Sequence, residues 1–335
     1  MKKIIYFIVF VIASVEGIAQ DTHFSMFHMM PLYLNPAMTG FFDGDARIGA
    51  IYRDQWFTVG SPYGGTKYET FGGYADGDIR IGKRKEDYIG IGGCFIRDVA
   101  GDQALTTSDG LVSVAYSKSF GYRTKHSIAL GLQGEFIFMQ FRNGGAIFPG
   151  ATSESLGKTN IGIDATVGLR YNVEFQKRVS MYLGFAYAHV SQPNLSFTGV
   201  GDDKLYSKIV AHGGALIAVN NKFNLIPNVM FLSQGPSFEA NVGASGQLLF
   251  GEGYKSTNSF SFGFNARFAR PEGGDALIPN VKLDYHNIIL GVAYDINVSN
   301  LRRVSNTVGA IEISAAYIIK KKKYVPKTNA SCAQW

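Results

Sequence analysis

Ile161-Gly162-Ile163-Asp164-Ala165-Thr166-Val167-Gly168-Leu169-Arg170-Tyr171 alternates without a break. A period of two sends Ile161, Ile163, Ala165, Val167, Leu169 and Tyr171 to one face of a strand. Gly162, Asp164, Thr166, Gly168 and Arg170 go to the other. The same pattern recurs from Phe260 to Phe268 and from Ile288 to Ile296. The second face is the informative one. In a soluble sandwich it would carry Lys, Glu and Thr, whereas here it carries Gly, Ala, Ser and Asn with single charges. Glu135, Asp164, Arg170, Arg267 and Glu312 are such charges, and they are read as lumen residues. Large apolar residues on one face and small or polar ones on the other suit a closed barrel in lipid. An Arg or Lys on the lipid side costs about 2–4 kcal/mol near the midplane, and unpaired backbone groups at that depth force the sheet to close.

Composition agrees. Charged residues make up 17% of the 335-residue chain and glycines number 40, against roughly 25% and ~7% in soluble domains. From Ala46 onward about fourteen alternating segments follow one another. Their connections mostly alternate between short and long: Gly121–Thr124, Phe175–Arg178, Asn220–Lys222 and Tyr285–Asn287, with a longer first one at Gly82–Asp87, against Asp98–Asp109, Gln140–Thr159, Ser191–Lys204 and Val298–Thr307. The expected fold is all-β, a transmembrane antiparallel outer-membrane β-barrel with an N-terminal periplasmic plug-like segment. A secreted sandwich or propeller is the soluble alternative.

The barrel is flanked by shorter pieces. Residues 1–19 read as a signal peptide: Lys2 and Lys3, an apolar run from Ile4 to Val15, then small residues before Gln20. Residues 20–45 form the plug-like segment, 46–319 the barrel, and 320–335 a basic periplasmic tail that opens with Lys320 to Lys323. Both termini are thus expected on the periplasmic side of a Gram-negative outer membrane. The plug-like segment is rich in Met and aromatic residues but lacks a clean period, so it needs a container. Asn35 precedes Pro36 and is pushed toward extended geometry, where its side chain can hold the following turn. Thr39-Gly40 then permits a reversal.

Chemistry is sparse. No nucleophile elbow or phosphate loop is present, and Gly90-Ile91-Gly92-Gly93 lies inside an alternating strand. His23 and His28 lie side by side in neither helix nor strand. No catalytic residue, metal site or cofactor is expected. The net charge of +6 falls mainly in turns and the tail, which argues against nucleic acid. Cys94 and Cys332 either pair or remain free.

Gln20-Asp21-Thr22-His23-Phe24-Ser25, Pro31-Leu32-Tyr33-Leu34-Asn35-Pro36-Ala37, Gly40 and Tyr52-Arg53-Asp54-Gln55-Trp56 together resemble the PorP/SprF family of the type IX secretion system in Bacteroidota. The resemblance spans the mature chain. It departs at Met26, His28 and Met29, where the family has Gln and Tyr, and at Cys332-Ala333-Gln334-Trp335, where it often has Cys-Pro-x-Phe. The resemblance implies a non-enzymatic barrel in the outer-membrane lipid. It implies as partners a large secreted surface adhesin with a C-terminal sorting domain, or components of the periplasmic ring and the gliding machinery. It gives Leu34, Asn35, Pro36, Ala37, Gly40, Tyr52, Arg53, Gln55 and Trp56 the role of plug and family motif. The rival reading is a FadL-like channel or transporter for hydrophobic compounds.

Overall fold

A computed structural model describes residues 21–57, 68–82, 86–101, 105–121, 125–140, 159–175, 178–197, 203–251, 258–270, 273–300 and 302–320. Fourteen antiparallel strands close into one barrel. They are β1 (Ala46–Gln55), β2 (Tyr68–Ile81), β3 (Asp87–Ala100), β4 (Leu105–Phe120), β5 (Lys125–Gln140), β6 (Thr159–Phe175) and β7 (Val179–Ala188). The rest are β8 (Lys208–Ala218), β9 (Phe223–Gln234), β10 (Ser237–Phe250), β11 (Asn258–Ala269), β12 (Gly273–Tyr285), β13 (Ile288–Asn297) and β14 (Val308–Ile319). Each strand pairs with its sequence neighbours, and β1 pairs with β14 in a register that sets Ala46 opposite Ile319 and Arg53 opposite Glu312. Closure leaves no strand edge, so ladder hydrogen bonds extend around the whole circumference.

The alternation sorts side chains as expected. Ile163 is 73% exposed and Phe262 52%, whereas Arg170 and Glu312 are 0% exposed in the lumen. Glu135, Asp164 and Arg267 are likewise buried there. A glycine-rich inner face leaves room for material inside the barrel, and the chain's own start fills it.

The connections differ in part from the length pattern. The ends of β1, β3, β5, β7, β9, β11 and β13 lie at one mouth. The start of β1 and the end of β14 lie at the other. At the first mouth β3 and β4 extend to Ala100 and Leu105, so the expected long linker from Asp98 is shorter. There too β9 and β10 are joined by the two residues Gly235 and Pro236. Gly235 has φ 53°, the positive φ that a two-residue hairpin requires.

Residues 21–45 lie within the barrel rather than beneath it. They form a 3-10 turn at Phe27–Met29, one α-helical turn at Pro31–Leu34 and a second 3-10 turn at Pro36–Met38. The segment without a clean period thus holds one helical turn, with Pro31 at its start, where the missing N–H is not needed. The direction of travel is the larger correction. Asp21 bonds Gln234 at the far end of β9, while Asp45 bonds Ile319 where β14 stops. The segment therefore runs the length of the lumen, and Asp21 and Ile319 sit at opposite mouths. The described chain thus begins and ends at opposite mouths, whereas the sequence reading expected both termini on one side. The tail beyond Lys320, with Cys332, and the leader 1–20 lie outside the described residues.

Candidate functional site

The inner segment is gripped at successive depths. At the outermost level Asp21 accepts hydrogen bonds from Gln234 Nε2 at 2.9 Å and His189 Nε2 at 2.7 Å, and pairs with Lys208. Its own N–H donates to Gln234 Oε1 at 3.1 Å. His189 reaches the barrel wall through Nδ1, 2.7 Å from Asp164. Burial alone would lower the His189 pKa, but Asp21 and the hydrogen bond to Asp164 outweigh it and raise it to about 9. Burial would raise that of Asp21, yet Lys208 and His189 hold it well below the usual carboxylate range. His189 is thus an imidazolium bridging the inner segment and β6.

One step deeper, Ser25 is a hub. Its hydroxyl donates to Asp295 at 2.6 Å and accepts from Arg53 at 2.9 Å and Arg267 at 2.8 Å. The N–H groups of Ser25 and Met26 donate to the two oxygens of Glu312 at 2.6 and 2.8 Å. Arg53 also pairs with Glu312 at 2.6 Å and Asp295 at 3.1 Å, and Arg267 with Asp295 at 2.7 Å and with Asp275. Every charge in this buried set meets an opposite one, the condition under which burial of ions is tolerated. Between this hub and the next, Met26, Met29, Met30 and Leu32 pack against Ile51, Ile96, Leu111 and Ile278. Flexible methionines suit the irregular gap between a non-repetitive segment and a cylindrical wall.

At mid-depth Asn35 is extended, with φ −165° and ψ 121°, as its proline neighbour requires. Its Oδ1 accepts from Ala37 N–H at 2.8 Å and so builds the second 3-10 turn. Its Nδ2 faces the carbonyls of Leu169 and Phe185 at 3.2 and 3.3 Å and Nε2 of His212 at 3.0 Å. The Asn35-Pro36 corner lies directly on the wall. A Cβ at Gly168 would meet Asn35 Oδ1 at 2.1 Å, and one at Gly131 would meet Ala37 N at 2.3 Å. Gly131 and Gly168 are cross-strand partners, so together they form a flat seat for this corner. Below it, Arg170 donates to Ala37 O at 3.1 Å and Tyr88 Oη at 2.9 Å, and its guanidinium lies 3.5 Å from the centre of the Phe41 ring. Gly40, at φ +73°, makes the reversal and donates to Asp76, which Arg47 also grips with two bonds of 3.0 Å.

The sequence-derived residues do not all meet. Leu34, Asn35, Pro36, Ala37 and Gly40 lie in the inner segment, and Arg53 joins them through Ser25. Gln55 supports Arg53 at 3.3 Å. Trp56 closes β1 with φ 55° and an edge-on contact to Tyr68 at 5.0 Å. Tyr52 is 39% exposed on the outer face, so it belongs to the lipid side and not to the plugged mouth. Glu135 and Asp164 gather around His189, with Glu135 at 4.0 Å. Their ligand atoms and those of His189 lie within 4.8 Å of one another. Both His189 nitrogens are already spent on carboxylates, so the imidazolium itself is the cation of this cluster. Sequence reasoning gave no role to His189, Lys208, His212 or Asp295, and it met Asp21 and Ser25 only as letters of the opening motif. The motif Gln20–Ser25 was the one sequence signal that held any of them.

A closed fourteen-stranded barrel with an apolar girdle and an internally tethered N-terminal segment defines an outer-membrane barrel protein whose lumen is occupied by its own chain. The family described as "Type IX secretion system membrane protein PorP/SprF" matches residues 16–317, and the chain belongs to that family. It is a non-enzymatic barrel of the type IX secretion machinery. No curated protein matches it significantly. Solved structures similar in outline include a FadL homologue of Pseudomonas aeruginosa at 12% identity, covering 86% of this chain and 94% of that one, with a TM-score of 0.45. The toluene transporter TbuX of Ralstonia pickettii shares 13% identity, with 86% and 92% covered and a TM-score of 0.41. CdiB from Acinetobacter baumannii shares 7%, with 82% and 60% covered and a TM-score of 0.46.

Proposed function

We propose that this barrel serves type IX secretion as a closed docking and anchoring element for a large surface adhesin with a C-terminal sorting domain. The observation that carries this reading is the three-level tether of residues 21–45, which fills the lumen with polar bonds no passing solute could replace. Short turns face the periplasm in barrels of this kind. On that reading the end of β14 faces the periplasm, where ring components would be met, and Asp21 faces the outer side. Asn35, Pro36, Arg53 and Trp56 maintain the plugged state, and the outer connections meet cargo. A FadL-like passage for hydrophobic compounds would need a continuous apolar path. The hubs at Ser25 and Asp21 interrupt one with buried charge.

The test is affinity isolation of the tagged protein from gently solubilised outer membrane, followed by mass spectrometry. The expected result is co-recovery of a large surface protein or of ring components, with Asn35→Ala losing that partner while the barrel stays in the membrane. A barrel recovered alone with an apolar compound in its lumen would overturn the reading in favour of transport.

A further inference from the structure

Backbone strain collects at one end of the barrel. Among the described residues, seven that are not glycine have positive φ. His286 and Asn287 form the two-residue hairpin between β12 and β13 at the far mouth, where such a turn requires it. The other five, Trp56, His189, Gln192, Asn306 and Thr307, all follow strands that end at the first mouth. Thr307, at φ 65°, is the sharpest case, because a β-branched side chain rarely adopts that conformation. Strain persists only where the surroundings over-determine it, and it gathers where a shape is put to use.

The connection between β13 and β14 is over-determined in this way. Asn297 Oδ1 accepts from the N–H and hydroxyl of Ser299 at 2.9 and 2.8 Å, and its Nδ2 donates to Ser305 Oγ at 3.2 Å. Thr307 N–H donates to Arg302 O at 3.0 Å, and Asn297 N–H to Thr307 O at 2.8 Å. Asn297, Ser299 and Ser305 are buried, whereas Arg302 and Arg303, between the two serines, are exposed. Arg270, just past β11, is exposed as well and lines one cavity with Asn297 and Ser299. None of these three arginines forms a salt bridge among the described residues, while Arg47, Arg53 and Arg267 in the lumen all pair with carboxylates. Asp275, tied to the loop by Val298 N–H, is already taken by Arg267. The fold thus holds rigid a loop whose exposed product is unpaired positive charge.

Guanidinium groups pair best with carboxylates, through two parallel bonds, and a loop already set in place loses little freedom on binding. Asp21 and His23 of the inner segment line the same cavity, so the patch borders the opening of the lumen. Lipid covers the outer face of the strands and not this opening. We infer that Arg270, Arg302 and Arg303 form a docking patch for an acidic polypeptide face. This rests on the reading that the first mouth meets a surface protein, and it supplies the chemistry by which that partner is recognised.

The test uses the full protein in lipid nanodiscs and a fluorescent peptide of alternating Glu and Ser, with a peptide of alternating Lys and Ser as its counterpart. Anisotropy should show saturable binding of the acidic peptide alone, weakening as salt rises. Arg270→Glu, Arg302→Glu and Arg303→Glu combined should weaken it about tenfold or more. Lys125→Glu, Arg178→Glu and Lys222→Glu combined reverse as many exposed charges at the far mouth and should leave the affinity within about twofold. Asn297→Ala, which frees the loop and keeps its arginines, should weaken binding about threefold. Heat-modifiable mobility certifies each barrel as folded. Absence of saturable binding, or equal losses from the two triple variants, would overturn the inference. Displacement of the peptide by added lipid A would overturn it in favour of a lipid phosphate. Failure of the secretion reading is a separate result: the tagged parent then recovers no surface protein, whatever the peptide does.

Discussion

Gly168→Ala isolates the seat of the inner segment from the barrel that holds it. The added Cβ would lie 2.1 Å from Asn35 Oδ1 and 3.0 Å from Cδ and Cγ of Pro36. Asn35 cannot move freely, because that oxygen already accepts from Ala37 N–H at 2.8 Å. Overpacking of this kind costs roughly 1–3 kcal/mol, and surrender of the Ala37 bond adds a buried unpaired N–H at roughly 1–3 kcal/mol. Since relief of one strain worsens the other, the seated state should lose about 2–4 kcal/mol. That is roughly thirty-fold to nearly a thousand-fold in the ratio of seated to released segment. Gly134 is the control, on neighbouring β5, where a Cβ would have nothing within 4 Å. Planar-bilayer conductance is the assay, with heat-modifiable mobility confirming that each barrel is folded. Gly168→Ala should raise open-state conductance while its barrel remains folded, and Gly134→Ala should match the parent. Equal traces for the two variants would refute the claim that Asn35-Pro36 is seated on the β5–β6 glycines.

Ile163→Arg and Phe262→Arg place a charge in the lipid girdle and should each cost about 2–4 kcal/mol, seen as loss of outer-membrane barrel in cell fractions. Ser261→Asp, inward and paired with Lys282 across β11–β12, should assemble. The His189 pKa is raised to about 9 from the usual 6.5, so its contribution is complete below pH 6.5 and is lost as pH rises through 9. Protease accessibility of the segment near Asp21 should therefore increase between those values, and His189→Gln should abolish the alkaline step. Lastly, membrane-purified protein should begin at Gln20, and an epitope inserted after it should be labelled by antibody on intact cells. Labelling only after permeabilisation would contradict an outer location for Asp21.

The barrel was legible because its signal is local. Alternation at Ile161–Tyr171 reports two solvents at once, and the small residues of one face report a crowded interior. The Asn35 geometry was legible for the same reason, since Pro36 restricts it and Ala37 is two residues away. The hubs were not legible. Ser25 collects Arg53, Arg267, Asp295 and Glu312 from four strands spread over 260 positions of sequence, and no short-range pattern marks a lone serine as their meeting point. His189 sits just past the end of β7 and reads as a loop residue until Asp21 is brought to it from the other end of the chain. The direction of the inner segment was hidden for a further reason: an aperiodic stretch fits a container equally well either way round.

That direction bears on how the molecule comes together. A segment that runs from one mouth to the other and then turns straight into β1 has no simple sideways route into a finished cylinder. It must lie in the concave face of the growing sheet before the first and last strands meet. The strands that make that final junction carry Arg53 and Glu312 opposite each other, and the same pair grips the backbone and hydroxyl of Ser25. Zipping of the seam and capture of the segment therefore share one set of contacts. A chain whose leading residues have strayed lacks the ligands that bring its closing strands into register, so a mis-threaded barrel is hindered from shutting at all.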